Sequence, residues 1–229
     1  RIRQAAQHGG DSARRVSVPL AAYLTAWAIL GLNLLTPGPN VLNTVASAIG
    51  SGRAAGMASA LAVAPGIATW CLGMSLGVAV IFRTVPAAEA SLTLLAAMLL
   101  IYFAARYISA AISPRKAGLR ARGGLSLRGS FLRALSINTT NPNALTTWIA
   151  ILSIFPMTAA RATDVAVLAL GSAGLGFVIH AGYALAFSTP AAARVYLRAA
   201  PVINGAVGVF FTLFAIKLVA PLLARALSG

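Results

Sequence analysis

Thr36-Pro37-Gly38-Pro39-Asn40 interrupts an apolar stretch that carries no charged residue between Val16 and Gly52. A membrane-spanning helix needs about 20 apolar residues, so this stretch is too long for one helix and too short for two helices with a turn. Proline lacks a backbone N–H and disrupts helices. Broken backbone at membrane depth is tolerated only where protein buries it or where it lines a polar cavity. The motif therefore predicts a first span over 19–36, a break, and a shorter apolar segment over 40–50.

A second motif, Thr139-Thr140-Asn141-Pro142-Asn143, lies 103 residues further along the chain. At this offset, five of the fourteen positions in 34–47 and 137–150 are identical, including both Pro-Asn pairs. Chance matches are frequent for Leu in apolar sequences and less frequent for Pro-Asn. Two such breaks at matching positions of two halves favour inverted repeats around a binding site at the membrane midplane.

The composition is that of an integral membrane protein: 59% of the residues are hydrophobic and 9% are charged, whereas soluble domains carry roughly 25% charged residues. The net charge of +15 comes from Lys and Arg between apolar runs. This distribution predicts topology signals and contacts with membrane lipids, and no nucleic-acid partner. Cys71 is the single cysteine, and the histidines are His8 and His180. We therefore predict no disulfide, no metal site and no cofactor.

The predicted fold is all-α, with six transmembrane helices arranged as two inverted three-helix repeats in which helices 1 and 4 are broken. Within the second span, Gly73 and Gly77 form a small-xxx-small pattern that predicts close helix packing. The spans after the first are expected at 55–82, 88–110, 134–157, 165–187 and 201–224. The predicted organisation is a polar basic tail (1–17), a first repeat (18–112), a basic linker (113–133) and a second repeat (134–224).

Lys and Arg counts predict the orientation. The linker side carries ten of these residues and the opposite side carries seven. We therefore expect a cytoplasmic linker, with both termini on the outer side of the membrane.

Four stretches carry a resemblance to a known family: the motif at 36–40, Gly52-Arg53-Ala54-Ala55-Gly56, Asn138-Thr139-Thr140-Asn141-Pro142, and a last span from Asn204-Gly205 to Lys217-Leu218. On these stretches the chain resembles the LysE/RhtB family of lysine, homoserine and threonine exporters over about residues 20–224. The resemblance implies a multi-pass protein of the bacterial inner membrane that exports amino acids or related metabolites, driven by an ion gradient as in an antiporter. The family often has Lys after the Asn-Pro pair, where this chain has Asn143.

The broken helices have the chemistry of an amino-acid site. A helix that restarts near Asn40 offers free N–H groups and a positive dipole end, which suit a carboxylate. Asparagine side chains both donate and accept hydrogen bonds, so they could hold a carboxylate or an ammonium group. The alternative is that these Pro and Asn residues only shape and cap kinked helices. The predicted substrate-binding set is Pro37, Gly38, Pro39, Asn40, Asn43, Thr44, Asn141, Pro142, Asn143 and Thr147.

His180 is the one titratable group in the predicted central membrane region. Its ordinary pKa lies near neutrality, and intramembrane ionisable groups are often functional, so it is a candidate for ion coupling. The alternative is a neutral histidine that is hydrogen-bonded between helices.

These patterns together predict a secondary active exporter of small amino acids or close analogues that works by alternating access and is not an enzyme. One alternative is a transporter of another small metabolite or ion on the same scaffold. Another is an intramembrane enzyme, but the spans hold no paired carboxylates and no Ser-His-Asp set, and the chain has no phosphate-binding loop. Spans rich in Gly and Ala would also permit a homodimer.

Overall fold

The computed structural model describes residues 18–84, 88–113 and 123–227. The predicted tail (1–17) and most of the predicted linker (114–122) lie outside the described residues. In the described part the chain folds into eight α-helices and no strand. They are α1 (Leu20–Leu35), α2 (Pro39–Ser51), α3 (Arg53–Thr84), α4 (Ala88–Ile112), α5 (Leu127–Thr139), α6 (Pro142–Ile154), α7 (Ala162–Ala186) and α8 (Pro190–Leu227).

Four helices of the described chain, α3, α4, α7 and α8, are long and apolar enough to cross a membrane. The bent pair α1 and α2, which meet at 52°, counts as a fifth span if it crosses as one unit. The predicted fourth span (134–157) is instead divided between α5 and α6. Because α5 begins at Leu127 and carries Arg128 and Arg133, this pair does not form a continuous apolar span. The structure thus confirms an α-helical membrane protein, and the count of six spans stays a prediction.

Large apolar side chains on the outside of the helices agree with a lipid environment. Leu76, Leu170 and Val202 are 71%, 73% and 76% exposed. An apolar surface of this kind is unusual on a soluble monomer. In a membrane, lipid tails would cover this apolar surface, which avoids the unfavourable free energy of exposing it to water.

Both sequence motifs separate two helices, and proline explains where each second helix begins. Thr36 and Gly38 are extended, and Pro39 is the first residue of α2. Asn141 is extended in the same way, and Pro142 is the first residue of α6. Proline is well tolerated at the first helical position because the N–H it lacks would have no partner there.

The long helices pack in pairs, α3 against α7 and α4 against α8. Aromatic rings fill the second seam, where the rings of Phe103 and Phe211 lie 5.4 Å apart. A Cβ atom at Gly208 would lie 2.7 Å from the Ile108 side chain, so α8 approaches α4 closely at this glycine. The prediction for the Gly73–Gly77 pattern is wrong in the described part of the chain, because an added Cβ at either glycine meets no atom within 4 Å.

The last helix begins earlier than predicted. It starts at Pro190 rather than near 201, with the Thr189 hydroxyl accepting a hydrogen bond from the Ala192 N–H at 3.2 Å. This side-chain cap and the following proline start the helix before Arg194 and Arg198, upstream of the apolar run that predicts the sixth span. Consequently Arg194 and Arg198 lie one turn apart on α8.

Candidate functional site

A cavity of about 950 Å³ lies between the two helix breaks, the end of α4 and the first turns of α8. Its wall also includes His180 from α7. The cavity therefore brings together residues that are distant in the sequence and that belong to both halves of the chain. Six of the ten predicted substrate-binding residues line it: Pro37, Gly38, Pro39, Asn40, Asn141 and Asn143.

Asn143 joins the second break to the rest of the cavity wall. Its Nδ2 donates to Asn33 Oδ1 at 2.9 Å, and its Oδ1 accepts a short hydrogen bond from the Arg106 guanidinium. Asn33 Nδ2 in turn donates to the Tyr107 hydroxyl at 2.9 Å. These bonds tie the start of α6 to the end of α1 and to α4.

The first break is held by the same network. The Thr36 hydroxyl donates to the Asn33 carbonyl oxygen at 2.6 Å and lies 3.3 Å from the Tyr107 hydroxyl. Thr36 has one hydroxyl proton, and the Asn33 carbonyl oxygen takes it because a carbonyl can only accept. The Tyr107 hydroxyl therefore donates the hydrogen bond between the two hydroxyls. Thr36 is 5% exposed, so its hydroxyl is largely shielded from solvent although the residue forms part of the cavity wall.

The two helix restarts differ in how their first N–H groups are used. At α6 the side chain of Asn141 accepts a hydrogen bond from the Asn143 N–H at 3.0 Å. At α2 the corresponding residue is Gly38, which has no side chain and makes no such bond. In the described structure the N–H groups of Asn40 and Val41 also find no backbone acceptor. Both residues line the cavity, so α2 presents free donors and its positive dipole end there.

Two buried acceptor atoms on the cavity-lining residues have no hydrogen-bond partner among the described residues, Asn40 Oδ1 and His180 Nε2. His180 is fully buried, and its Nδ1 lies 3.0 Å from the Gly176 carbonyl oxygen one turn earlier in α7. Since that carbonyl can only accept, the ring proton is on Nδ1 and Nε2 carries a lone pair. The histidine is therefore bonded within its own helix rather than between helices.

Four predicted substrate-binding residues lie outside the cavity wall. Asn43 Oδ1 accepts a hydrogen bond from Arg133 Nε at 2.9 Å, and the Thr147 hydroxyl donates to the Asn143 carbonyl oxygen at 2.7 Å. Thr44 is fully buried, and Pro142 only begins α6. Thr44 and Thr147 do follow the restarts by one turn, but the neighbouring helices seal them from the cavity.

Several cavity residues were not predicted as site residues. The charged ones are Arg106, Arg194 and Arg198. Two signals in the sequence point to them: Arg106 interrupts an apolar span, and the spacing of four between Arg194 and Arg198 puts both on one face of a helix. The uncharged polar ones are Asn33, Thr36, Tyr107, Ser109, Ser113 and Asn204.

The charges on the described part of the cavity wall are all positive. Asp164 is the only acid whose side chain the structure describes, and it does not line the cavity. It accepts hydrogen bonds of 2.8 Å each from the Tyr23 hydroxyl and the Arg161 N–H, where α7 begins. The cavity is therefore rich in donors that suit an anionic group.

The family model described as LysE type translocator matches residues 32–221. The chain belongs to the LysE type translocator family. Membership confirms the resemblance seen in the sequence and makes the chain a membrane transporter. A comparison with curated proteins finds no match, and a comparison with solved structures finds none either.

In this translocator a cation does reach the position where the resemblance leads us to expect a lysine. Residue 143 is an asparagine, but the Arg106 guanidinium from α4 donates to its side-chain oxygen. The positive charge at the second break is thus supplied by another helix.

Proposed function

We propose that this translocator exports small amino acids or close analogues across the bacterial inner membrane, as a secondary active transporter that works by alternating access. The observation that carries the proposal is the pairing of two kinds of free group in one cavity wall. The start of α2 offers unpaired N–H donors, and Asn40 and His180 offer unpaired acceptors. A zwitterion with a carboxylate and an ammonium group would satisfy both kinds.

The unpaired acceptors support the proposal more strongly than the donors do. Leaving a buried polar atom without a hydrogen-bond partner costs about 1–3 kcal/mol. The hydrogen bond from Nδ1 to Gly176 fixes the His180 tautomer, so Nε2 can only accept. An ammonium group has three donors. A bound amino acid would thus offset the cost of leaving Asn40 Oδ1 and His180 Nε2 without a hydrogen-bond partner.

The cavity lies at the end of the molecule where the predicted linker is attached. Its wall reaches Ser113, beside the linker, and Arg194 near the start of α8. At the same end the Leu125 N–H donates to the Ser51 hydroxyl at 3.2 Å. With the linker proposed to be cytoplasmic, the cavity would receive its substrate from inside the cell.

Packed aromatic rings and a hydrogen bond lie at the opposite end of the molecule. The rings of Tyr23 and Phe155 meet edge to face at 5.3 Å, and Tyr23 also bonds to Asp164. An exporter must open this end while closing the other. The breaks between α1 and α2 and between α5 and α6 are the natural hinges for such a movement, with the two halves acting as inverted repeats.

His180 remains our candidate for coupling to a proton gradient. Protonation of Nε2 would turn an acceptor into a donor and add a positive charge beside a bound ammonium group. Proton uptake would therefore favour substrate release. Transport by a His180→Gln variant that no longer responds to a pH gradient would support this role, and an unchanged response would exclude it.

Counterflow in proteoliposomes tests the proposal. Vesicles that contain the purified protein are loaded with one unlabelled amino acid, and uptake of the labelled form is followed with and without a pH gradient. Saturable uptake that Asn40→Ala abolishes would support the proposed site. Thr69→Ala is the matched control, because Thr69 lies on α3 outside this cavity and its hydroxyl bonds to the Pro65 carbonyl oxygen of its own helix. Folded protein that transports no amino acid would refute the proposal.

A further inference from the structure

We propose that the substrate carries a second anionic group, so that this translocator prefers amino acids with an acidic side chain to neutral or basic ones. The inference rests on the proposed function and narrows its substrate class. Three guanidinium groups line one cavity, those of Arg106, Arg194 and Arg198. No acid with a described side chain faces them, since Asp164 lies outside the cavity.

The spacing on α8 is the first step of the argument. Arg194 and Arg198 are four residues apart, so their side chains extend from the same face of the helix. Like charges at this spacing destabilise a helix, whereas an anion between them reverses the sign of the interaction. Neither side chain has a hydrogen-bond or ion-pair partner among the described residues, so both guanidinium groups are available to a ligand.

The second step assigns the donors in the cavity. A substrate α-carboxylate fits the free N–H groups at the start of α2, and Arg106 is already bonded to Asn143. Arg194 and Arg198 are therefore in excess of what a neutral zwitterion needs. Arginine binds a carboxylate through two parallel hydrogen bonds, so a second carboxylate would be recognised with defined geometry.

The third step concerns the competing substrates. A lysine side chain would bring a positive charge into a cavity wall that already carries three, which is unfavourable at any dielectric constant. A threonine side chain would leave Arg194 and Arg198 without an anion. The cavity, at about 950 Å³, lies within the size range of small-molecule sites. Charge rather than volume therefore decides among an acidic, a lysine and a threonine side chain.

The test compares three labelled substrates in the same proteoliposomes: L-glutamate, L-lysine and L-threonine, with unlabelled glutarate as a competitor that lacks the amino group. Saturable counterflow of glutamate at least tenfold more efficient than that of lysine or threonine supports the inference. Efficient transport of lysine or threonine with no preference for glutamate overturns it and leaves the proposed function standing. Folded protein that transports none of the three overturns the inference, and the proposed function falls as well only if a panel of the other amino acids is also not transported.

Competition by glutarate identifies the part of the substrate that is recognised. If glutarate inhibits glutamate uptake only weakly, the amino group contributes to binding, as the unpaired acceptors of Asn40 and His180 require. If glutarate inhibits glutamate uptake as strongly as unlabelled glutamate does, the site recognises a dicarboxylate and the amino-acid part of the inference is refuted.

Variants on α8 test whether Arg194 and Arg198 bind the second anionic group of the substrate. Arg194→Gln and Arg198→Gln should each raise the apparent KM for glutamate roughly tenfold or more, the effect of losing a charged hydrogen bond. Arg194→Lys keeps the charge and should recover part of the loss. The control is Arg53→Gln, because Arg53 is exposed and donates to the Ser188 hydroxyl outside the cavity. Equal loss in Arg53→Gln would refute the assignment.

Anionic lipid headgroups are the other source of a negative group for these arginines. The same variants are therefore measured in vesicles of neutral lipid alone and in vesicles that contain an anionic lipid. A KM effect that persists in neutral lipid supports substrate recognition. An effect that appears only with anionic lipid assigns the arginines to the membrane surface and overturns the inference.

Discussion

Replacing Gly38 by asparagine tests whether the open start of α2 binds the substrate carboxylate. Gly38 precedes α2 with φ −137° and ψ 177°, an extended conformation that any residue adopts. An added Cβ there would meet only the Thr36 carbonyl oxygen, at 3.8 Å. The asparagine would thus fit without strain. Its side chain should cap α2 in the way that Asn141 caps α6, by accepting the N–H two residues later.

The expected effects on stability and on transport have opposite signs. Asparagine in place of glycine at this helix position stabilises by a few tenths of a kcal/mol. In transport, the Gly38→Asn variant would no longer offer the Asn40 N–H to a carboxylate. A charge-assisted hydrogen bond is worth about 1.5–3 kcal/mol, so the apparent KM should rise roughly 10- to 100-fold.

The assay combines counterflow in proteoliposomes with thermal unfolding in detergent. Gly38→Ala is the control, because it adds the same Cβ without an acceptor and should keep most of the transport. Two results would refute the reasoning: a Gly38→Asn variant with the wild-type KM, or equal loss of transport in both variants. The second result would mean that space at residue 38, rather than its N–H donors, matters.

Two further comparisons follow from the same structure. Asn143→Ala removes the hydrogen bonds to Asn33 and from Arg106, so it should lower the free energy of unfolding by about 2–3 kcal/mol and the melting temperature by several degrees. Asn40→Ala removes no such bond and should leave the melting temperature unchanged. Equal melting temperatures of the two variants would contradict the hydrogen bonds assigned to Asn143. Alanine has a higher helix propensity than glycine, so Gly77→Ala should stabilise the protein by up to about 1 kcal/mol. Gly208→Ala should instead destabilise the protein, because the added Cβ crowds α4. The same detergent unfolding measures both, and a more stable Gly208→Ala would contradict the close approach.

The helix breaks could be predicted from the sequence because proline acts locally. Pro39 and Pro142 cannot continue a helix from the preceding residue but suit the first position of a new one, whatever the rest of the fold does. The structure accordingly begins α2 and α6 at these two residues. The membrane class followed just as directly from the low charge and the long apolar runs.

Charged residues of the rest of the cavity wall stand out in the sequence, but their arrangement around the breaks could not be predicted, because it depends on which helices meet. Arg106, Arg194 and Arg198 were counted as topology signals, and their approach to the breaks requires the packing of α4 against α8. The start of α8 was placed too late, since the apolar run that predicts the sixth span begins after Arg194 and Arg198. Thr44 and Thr147 have the right spacing, but neighbouring helices bury them.

The proposed substrate would give a physical reason for the difference between the two breaks. Repeated halves tend to build equivalent sites, but an amino acid has unlike ends and cannot satisfy two equivalent sites at once. A single pair of aligned residues breaks the equivalence. Gly38 leaves the start of α2 open, and Asn141 closes the start of α6 with its side chain. In the proposed site one restart would thereby be left to bind the ligand, while the other is fixed through Asn143 to α1 and α4 and would support the opposite wall.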